Sequence, residues 1–316
     1  MSLPLAIYDV FADRPFRGNP AAVVRVAGRR QLSDSQLISV AAELMLPETA
    51  LSHWDGSVLE LRFATAARVV NRCGHATLAG IADHVLVHEA NSRTSERLWT
   101  GSYRVGSAGA KWRASFAPAM RSRMSNCRGL DVEVTWPERP HRIGPLPAKK
   151  VYAAIGSKPS DSVPDLAPCI YDSGNRNALV SLATPALLRS VRISWPKLER
   201  LFNDYQLTDL HLYCPEQRPK PGASFRLRCR NVFPYGVKEE AATGSASIAL
   251  AGFLAAQTSV VRHDVDATDF LFEQGVGPRR GRIVVSWRRD KSGFETYSLK
   301  GRVFPIVKGE LVSLPK

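Results

Sequence analysis

The sequence predicts an α+β fold of two similar halves, each a curved sheet around one central buried helix. Three observations carry the prediction. First, two segments are nearly without charge and apolar on almost every face, residues 74–86 and 244–254; a helix with no polar face belongs in a core. Second, each segment opens on small and polar residues, Cys73-Gly74-His75-Ala76 in one case and Thr243-Gly244-Ser245-Ala246 in the other. Each also follows a Gly-Asn turn into an apolar strand, at Gly18-Asn19 and at Gly174-Asn175. Four elements in matching order point to a duplication around a shared cleft, with both helix mouths facing it. Third, many short strand-like runs fill the rest of the chain.

The elements follow in order. Residues 7–12 read as a strand, 13–20 as a loop of turn residues, and 21–26 as a second strand. Ser33-Asp34-Ser35-Gln36 is a capping box. Leu37, Val40, Ala41 and Leu44 follow at helical spacing, and Pro47 is expected to stop that helix. Strands are expected after Glu48 and over 59–63, then the first buried helix, then a hairpin of 98–105 and 111–116. Residues 117–149 are loop-like and rich in proline, and the crossover between halves is placed there. Strands are expected over 151–155 and 178–182, short helices around Leu187-Leu188 and over 198–202, and strands over 209–213 and 224–231. After the second buried helix come strands over 282–287 and 295–303, and a last short one near 310–313. The halves are therefore drawn as residues 1–125, joined by the last strand at about 303–316, and residues 126–302.

Composition narrows the partners. The 316 residues include 43 Lys and Arg against 29 Asp and Glu, a net charge of +14. The basic residues are spread along the chain, and the densest run, Arg226, Arg228 and Arg230, alternates with Phe225, Leu227 and Cys229 as one face of a strand. No nucleic-acid motif accompanies them, so nucleic acid is not an expected partner. No apolar run reaches the length of a membrane span, and the first residues have no basic leader, so neither membrane nor export is expected. The five cysteines are scattered, odd in number and without a C-x-x-C pair, which suits free thiols in a reducing cytoplasm and speaks against zinc. Nucleotide and metal motifs are missing too, so no cofactor and no metal are expected.

Several residues can carry chemistry. Glu48, beside Pro47 and Thr49, is a general acid/base if buried and a solvated loop carboxylate if not. Cys73, at a helix N-terminus, is either an activated thiolate or inert packing. His75 either orients a ligand or carboxylate or sits as a capping or core histidine. Glu240 either caps the second helix or holds a substrate amine or hydroxyl. Both helix mouths, at Gly74 and at Gly244-Ser245, offer first-turn N–H groups and a dipole to an anion.

Four blocks resemble the phenazine-biosynthesis PhzF-like family, in family order and over nearly the whole chain. They are Tyr8-Asp9-Val10-Phe11 with Arg17-Gly18-Asn19-Pro20-Ala21-Ala22-Val23; Leu46-Pro47-Glu48-Thr49-Ala50; Cys73-Gly74-His75-Ala76-Thr77-Leu78-Ala79; and Phe233-Pro234-Tyr235-Gly236 with Glu240-Ala241-Ala242-Thr243-Gly244-Ser245-Ala246. The resemblance implies a diaminopimelate-epimerase-like fold of two pseudo-symmetric domains, a cofactor-free isomerase and a homodimer. It puts the proton-carrying glutamate on Glu48, the histidine on His75 and the second acid on Glu240. Its backbone anion contacts fall on Gly74, Gly244 and Ser245, and Cys73 and Asn19 complete the candidate substrate contacts. The chain departs from the family's pattern in having Pro47 where serine is frequent and Glu240 where phenazine enzymes have aspartate. Ahead of the first mouth, Ala66, Arg68 and Asn71 stand in the region of the usual proline and acidic residue. Cys73 matches the first cysteine of the related epimerases, whereas Thr243 stands at the second.

The expected activity is a proton shift, and with it a double-bond shift, in a small carboxylated amine-type metabolite, dihydroanthranilate-like or pyrroline-carboxylate-like, in secondary metabolism. The alternatives are an amino-acid epimerase or racemase, and a non-catalytic protein that binds small carboxylates.

Overall fold

The first strand, β1 (Leu3–Val10), runs antiparallel to β2 (Asn19–Arg25), with Val10 opposite Asn19. These coordinates are a computed structural model, and they describe residues 2–28, 32–89, 98–116, 129–216, 224–236, 238–257, 266–275 and 277–315. The turn between β1 and β2 needs glycine at position 18. Its φ is +66°, and an added Cβ would stand 2.1 Å from the carbonyl oxygen of Val10.

Helix α1 (Asp34–Leu44) starts at the expected capping box: Ser33 accepts from the Gln36 N–H, and the Gln36 side chain accepts from the Ser33 N–H. It ends at Leu44, as expected ahead of Pro47, where Met45 takes a left-handed conformation at φ 51°. Strand β3 (Glu48–Trp54) follows at once, then β4 (Val58–Ala64), the two-residue β5 (Val69–Val70), and helix α2 (Gly74–His84), all of whose residues are buried. Strands β6 (Leu98–Val105), β7 (Ala108–Phe116) and β8 (Leu130–Thr135) complete this stretch.

Next come β9 (His141–Pro145), α3 (Ala148–Ala154), β10 (Cys169–Asp172), β11 (Arg176–Ser181), α4 (Pro185–Ser190) and α5 (Trp195–Tyr205). They are followed by β12 (Asp209–Pro215), β13 (Phe225–Val232), β14 (Glu239–Glu240), α6 (Gly244–Ala255), β15 (Ala267–Gln274), β16 (Gly281–Arg289) and β17 (Glu295–Leu311). Contacts gather the chain into two units, Met1–Pro137 with Ser298–Lys316, and Glu138–Tyr297. Among the described residues no helix is long and apolar enough to cross a membrane.

In the first unit the pairings close on themselves. Strand β1 pairs with β2, β2 runs parallel to β3, β3 pairs with β4, and β4 runs parallel to β6. Then β6 pairs with β7, β7 with β8, β8 with β17, and β17 with β1. The result is a barrel-like ring around α2, which packs against β1, β2, β3, β4, β7 and β8. That is why the helix needs no polar face. Its one buried acid, Asp83, accepts from Tyr8 Oη at 2.7 Å and pairs with Arg25 at 2.5 Å, so the charge is matched inside the ring.

The second unit follows the order β9–β10–β11, then β12 parallel to β11, β13 antiparallel to β12, β14 antiparallel and β15 parallel to β13, and β16 on β15. Leu210, Leu212 and Cys214 of β12 join Val151, Leu198 and Phe202 in an apolar core with α3 and α5. The alternate residues Asp209, His211 and Tyr213 lie on the opposite face. Tyr213 meets Phe253 of α6 edge-on there.

Three expectations are corrected. Residues 151–155 are not a strand but lie on and just after α3: Val151, Tyr152, Ala154 and Ile155 are buried at helical spacing against α5. The expected loop over 117–149 contains β8, β9 and the start of α3, while its residues 117–128 lie outside the described ones. The last short strand is the end of a single 17-residue strand, β17, which pairs with β8 over Ser298–Val303 and then with β1 over Val303–Leu311.

Candidate active site

Glu48 is the first residue of β3, in register with Ala21 of the parallel neighbour β2, whose first residue is Asn19. Alternation along β3 sets Glu48, Ala50, Ser52 and Trp54 on the face toward α2, where Trp54 packs on His84. Leu51, on the other face, packs into the core that holds Leu37, Val40 and Ala41 of α1. Helix α2 brings its mouth to the same place. His75 Nε2 stands 3.0 Å from Glu48 Oε2, with the His75 side chain buried and that of Glu48 15% exposed. His75 Nδ1 lies 3.2 Å from Asn19 Nδ2 and 3.5 Å from Cys73 Sγ. Unit 1 thus gathers Asn19, Glu48, Cys73 and His75 around one imidazole ring.

The electrostatics of the cluster are uneven. Burial pushes the Cys73 thiol up to about 11, and the Glu48 charge adds to it. Cys73 is therefore a thiol at neutral pH, which favours the packing alternative over the activated thiolate. The sulfur serves instead as the N-cap acceptor, taking the Ala76 N–H at 3.4 Å. Burial by itself favours a neutral His75 ring, and its two neighbours, Cys73 and Glu48, outweigh that and hold its pKa well above the usual histidine value. Since Cys73 keeps its proton, the Glu48 carboxylate is the neighbour that matters near neutral pH.

The 3.0 Å contact between His75 and Glu48 is short enough for an ion pair, yet neither Nε2 nor Oε2 has a well-aligned hydrogen-bond partner. The proton-bearing nitrogen and the carboxylate stand side by side rather than pointing straight at each other. Glu48, Cys73 and His75 also place one oxygen, one sulfur and one nitrogen within 4.8 Å of one another, a donor set able to hold a metal ion.

In unit 2, helix α6 opens differently. Thr243 is its N-cap, but its side chain makes no capping bond to the helix. The hydroxyl donates instead to Glu240 Oε2 at 2.7 Å and accepts from Gln274 Nε2 at 2.9 Å. Gln274 also accepts from the Thr243 N–H at 3.1 Å and donates to the Glu240 carbonyl at 3.1 Å. No side chain of the cap residue therefore covers the first-turn N–H groups at Gly244 and Ser245. Glu240 does not cap α6; it lies on β14, buried, in register with Asn231 of β13.

Beside it lies a buried polar row. His211 Nδ1 contacts Asn231 Oδ1 at 2.9 Å, Asn177 Nδ2 donates to Asp209 Oδ2 at 2.7 Å, and Ser173 Oγ donates to the Ser245 carbonyl at 2.9 Å. Burial lifts the Asp209 carboxyl to about 7 and drops His211 to about 4. Gln274, Asn231, Asp209 and His211 are missing from the sequence-based candidates. The alternation Asp209-Leu210-His211-Leu212 signals a strand with a polar face but not that this face is buried; Gln274, at the end of its strand, carries no signal at all.

A cavity of about 490 Å³ lies elsewhere in unit 1, lined by His53, Arg62 and Arg104 among others. It is on the α1 side of the sheet, away from Glu48; its Arg62 pairs with Asp34 and its Arg104 with Asp55 and Glu60. The acid–base cluster, rather than this cavity, is the better candidate because it combines opposite ionisable groups with near-complete burial.

Fold and cluster together define a class: sheet-dominated proteins, barrel-like around a buried helix, with ionisable groups gathered at the helix mouth. Within that class the chain can be placed by descent. A family model described as phenazine biosynthesis-like protein (PhzC-PhzF) matches residues 8–309, and the chain belongs to this family. A mouse phenazine biosynthesis-like domain-containing protein 1 is 29% identical over 269 residues, covering 81% of this chain and 85% of that protein. A protein of Halalkalibacterium halodurans named an uncharacterized isomerase is 25% identical over 315 residues, 99% of both chains. The crystal structure of a PhzF-family phenazine biosynthesis protein from Bacillus anthracis superposes with a TM-score of 0.77 at 16% identity, over 99% of this chain and 100% of that one, and so shares the fold.

Proposed function

We propose that the chain is a cofactor-independent isomerase that moves a proton, and with it a double bond, in a small carboxylated amine-type metabolite. Its substrate is dihydroanthranilate-like or pyrroline-carboxylate-like and belongs to secondary metabolism. The observation that carries this is the 3.0 Å approach of His75 Nε2 to Glu48 Oε2 at the mouth of α2. Family membership and a relative named as an isomerase support it.

Glu48 takes the proton from one carbon and returns it to another on the same face. His75, held by Asn19 and Cys73, stabilises the Glu48 carboxylate and hands over charge as the proton moves. Glu240, locked by Thr243 and Gln274, receives the amine. The resemblance implies backbone anion contacts at Gly74 in the first unit and at Gly244 and Ser245 in the second. A racemase with two opposed thiols is disfavoured, since Thr243 has its hydroxyl engaged with Glu240.

The matching order of pairings in the two units, strand by strand up to each buried helix, supports pseudo-symmetric halves of diaminopimelate-epimerase-like type. The described cysteines are free and buried, which fits a reducing cytoplasm. A homodimer is part of the same proposal.

The test is solvent exchange. Unsaturated cyclic amino carboxylates are incubated with the protein in deuterated water, and label is followed by NMR. Deuterium entering one ring carbon of at least one compound, lost in Glu48→Gln, is the expected result. If no compound of either class exchanges, the isomerase proposal fails.

A further inference from the structure

We propose that Glu48, Cys73 and His75 bind one thiophilic divalent cation of the zinc class, and that the bound ion switches the site off. The cation site itself stands on geometry alone; the switching rests on the proton-transfer role proposed above. The three residues offer a carboxylate oxygen, a sulfur and an imidazole nitrogen within 4.8 Å of one another. That mixed set suits zinc in open sites, where three protein ligands leave a fourth position for water.

One edge of the coordination shell is already in place. Cys73 Sγ and His75 Nδ1 are 3.5 Å apart. Zinc bonds of about 2.3 Å to sulfur and 2.0 Å to nitrogen, at a tetrahedral angle, hold two ligand atoms about 3.5 Å apart. Glu48 is the ligand that must move; its side chain is 15% exposed, which also gives the ion its way in. The sulfur lies at the helix N-terminus, where the Ala76 N–H donates to it, and the bound cation supplies the counter-charge that the enclosed thiolate otherwise lacks.

On binding, the Cys73 S–H bond breaks, its proton leaves to solvent, and a metal–sulfur bond forms. The lone pair of His75 Nδ1 goes to the ion in place of the Asn19 contact, and any proton on that nitrogen leaves to solvent. No electrons are transferred. With Glu48 and His75 both engaged, no group of the cluster remains to carry the substrate proton.

The experiment titrates the chelator-treated full chain with Cd²⁺, which reports thiolate binding by ultraviolet charge transfer, and with Zn²⁺ by calorimetry. One equivalent of Cd²⁺ should bind with that absorption, and Cys73→Ser should abolish it. Zinc affinity should fall more than about a hundred-fold in Cys73→Ser and in Glu48→Gln, beyond the roughly ten- to hundred-fold that loss of an outer-shell partner typically costs. An undiminished cadmium band in Cys73→Ser would put the ion on another thiol, such as Cys127, and overturn the proposal; equal zinc affinity in all three proteins would do the same.

In a second arm, one equivalent of Zn²⁺ should suppress deuterium exchange at least about ten-fold, with recovery on adding EDTA. Unchanged exchange with the ion bound overturns the switch. The titration needs no substrate, so a metal-free protein that exchanges nothing refutes the isomerase proposal while the cation site is still judged by its own readout.

Discussion

His75 Nε2 and Glu48 Oε2 are 3.0 Å apart but not aligned for a straight hydrogen bond. A carboxylate locked end-on to an imidazolium would be a poor base, because its lone pair would be committed. A carboxylate beside an imidazolium keeps the charge stabilisation and leaves an oxygen to reach a carbon-bound proton. The offset follows from separate supports, with Glu48 fixed by the β2–β3 register and His75 by the first turn of α2.

Replacing Glu48 with glutamine keeps the shape and removes the base. Turnover should fall by about a hundred-fold to ten-thousand-fold, as is typical for loss of a general base. Binding of a substrate-analogue carboxylate, measured by calorimetry, should change little because the backbone donors are untouched. Near-normal deuterium exchange in Glu48→Gln would assign the proton to another residue.

Cys73→Ala should keep most of the turnover. The thiol, pushed up to about 11 by burial, holds no useful thiolate fraction at neutral pH. Its loss removes a weak sulfur cap on the Ala76 N–H and a 3.5 Å contact to His75 Nδ1, which keeps Asn19, at a cost of about 1 kcal/mol in thermal or denaturant unfolding. A loss of turnover as deep as in Glu48→Gln would point to thiol chemistry.

Thr243→Val should damage the second site through Glu240. The valine matches the shape of threonine but cannot donate to Glu240 Oε2 or accept from Gln274. Losing a hydrogen bond to a buried charged group costs about 1.5–3 kcal/mol. Unfolding free energy should drop by that order, analogue affinity should weaken about ten-fold, and Thr243→Ser should restore both. An unchanged affinity in Thr243→Val would show that Glu240 needs no such support.

Asp209 predicts a pH dependence of stability. Burial raises its folded-state carboxyl from the ordinary 3.8 to about 7, so the native state favours the protonated form. The stabilising effect is complete below about pH 4 and is lost as pH rises through about 7, with a slope of up to about 1.4 kcal/mol per pH unit between. Asp209→Asn keeps an acceptor for Asn177 and removes the titration. The stability of the natural chain relative to Asp209→Asn should therefore fall between pH 5 and 7 and then level off. A constant difference across that range would mean that Asp209 is ionised in the native state.

The sequence by itself determined the local features. Ser33 and Gln36 specify the start of α1 whatever surrounds them, because a capping box is satisfied within four residues. Gly18 specifies its turn because only glycine tolerates that φ and that close carbonyl. The uncharged stretches after Gly74 and Gly244 specified buried helices, since no polar face was available to meet water. Family membership was equally legible, because its motifs are short and contiguous.

Tertiary structure decided what depends on partners far along the chain. Residues 151–155 are a short apolar run that fits strand or helix, and packing of the Ala148–Ala154 segment on α5 settles it as helix. The first unit's ring closes only when β17 enters between β1 and β8, more than 160 residues after β8 in the chain. Glu48 and His75 meet through the register of β3 and the start of α2, and Gln274 reaches Thr243 across 31 residues. Such contacts leave no periodicity behind, because each is made by one side chain on an element whose own pattern is set by burial. The chemistry of Cys73 was decided last and by the same cause: the residue type permits a thiolate, and enclosure of the helix mouth withholds the solvation that a thiolate needs.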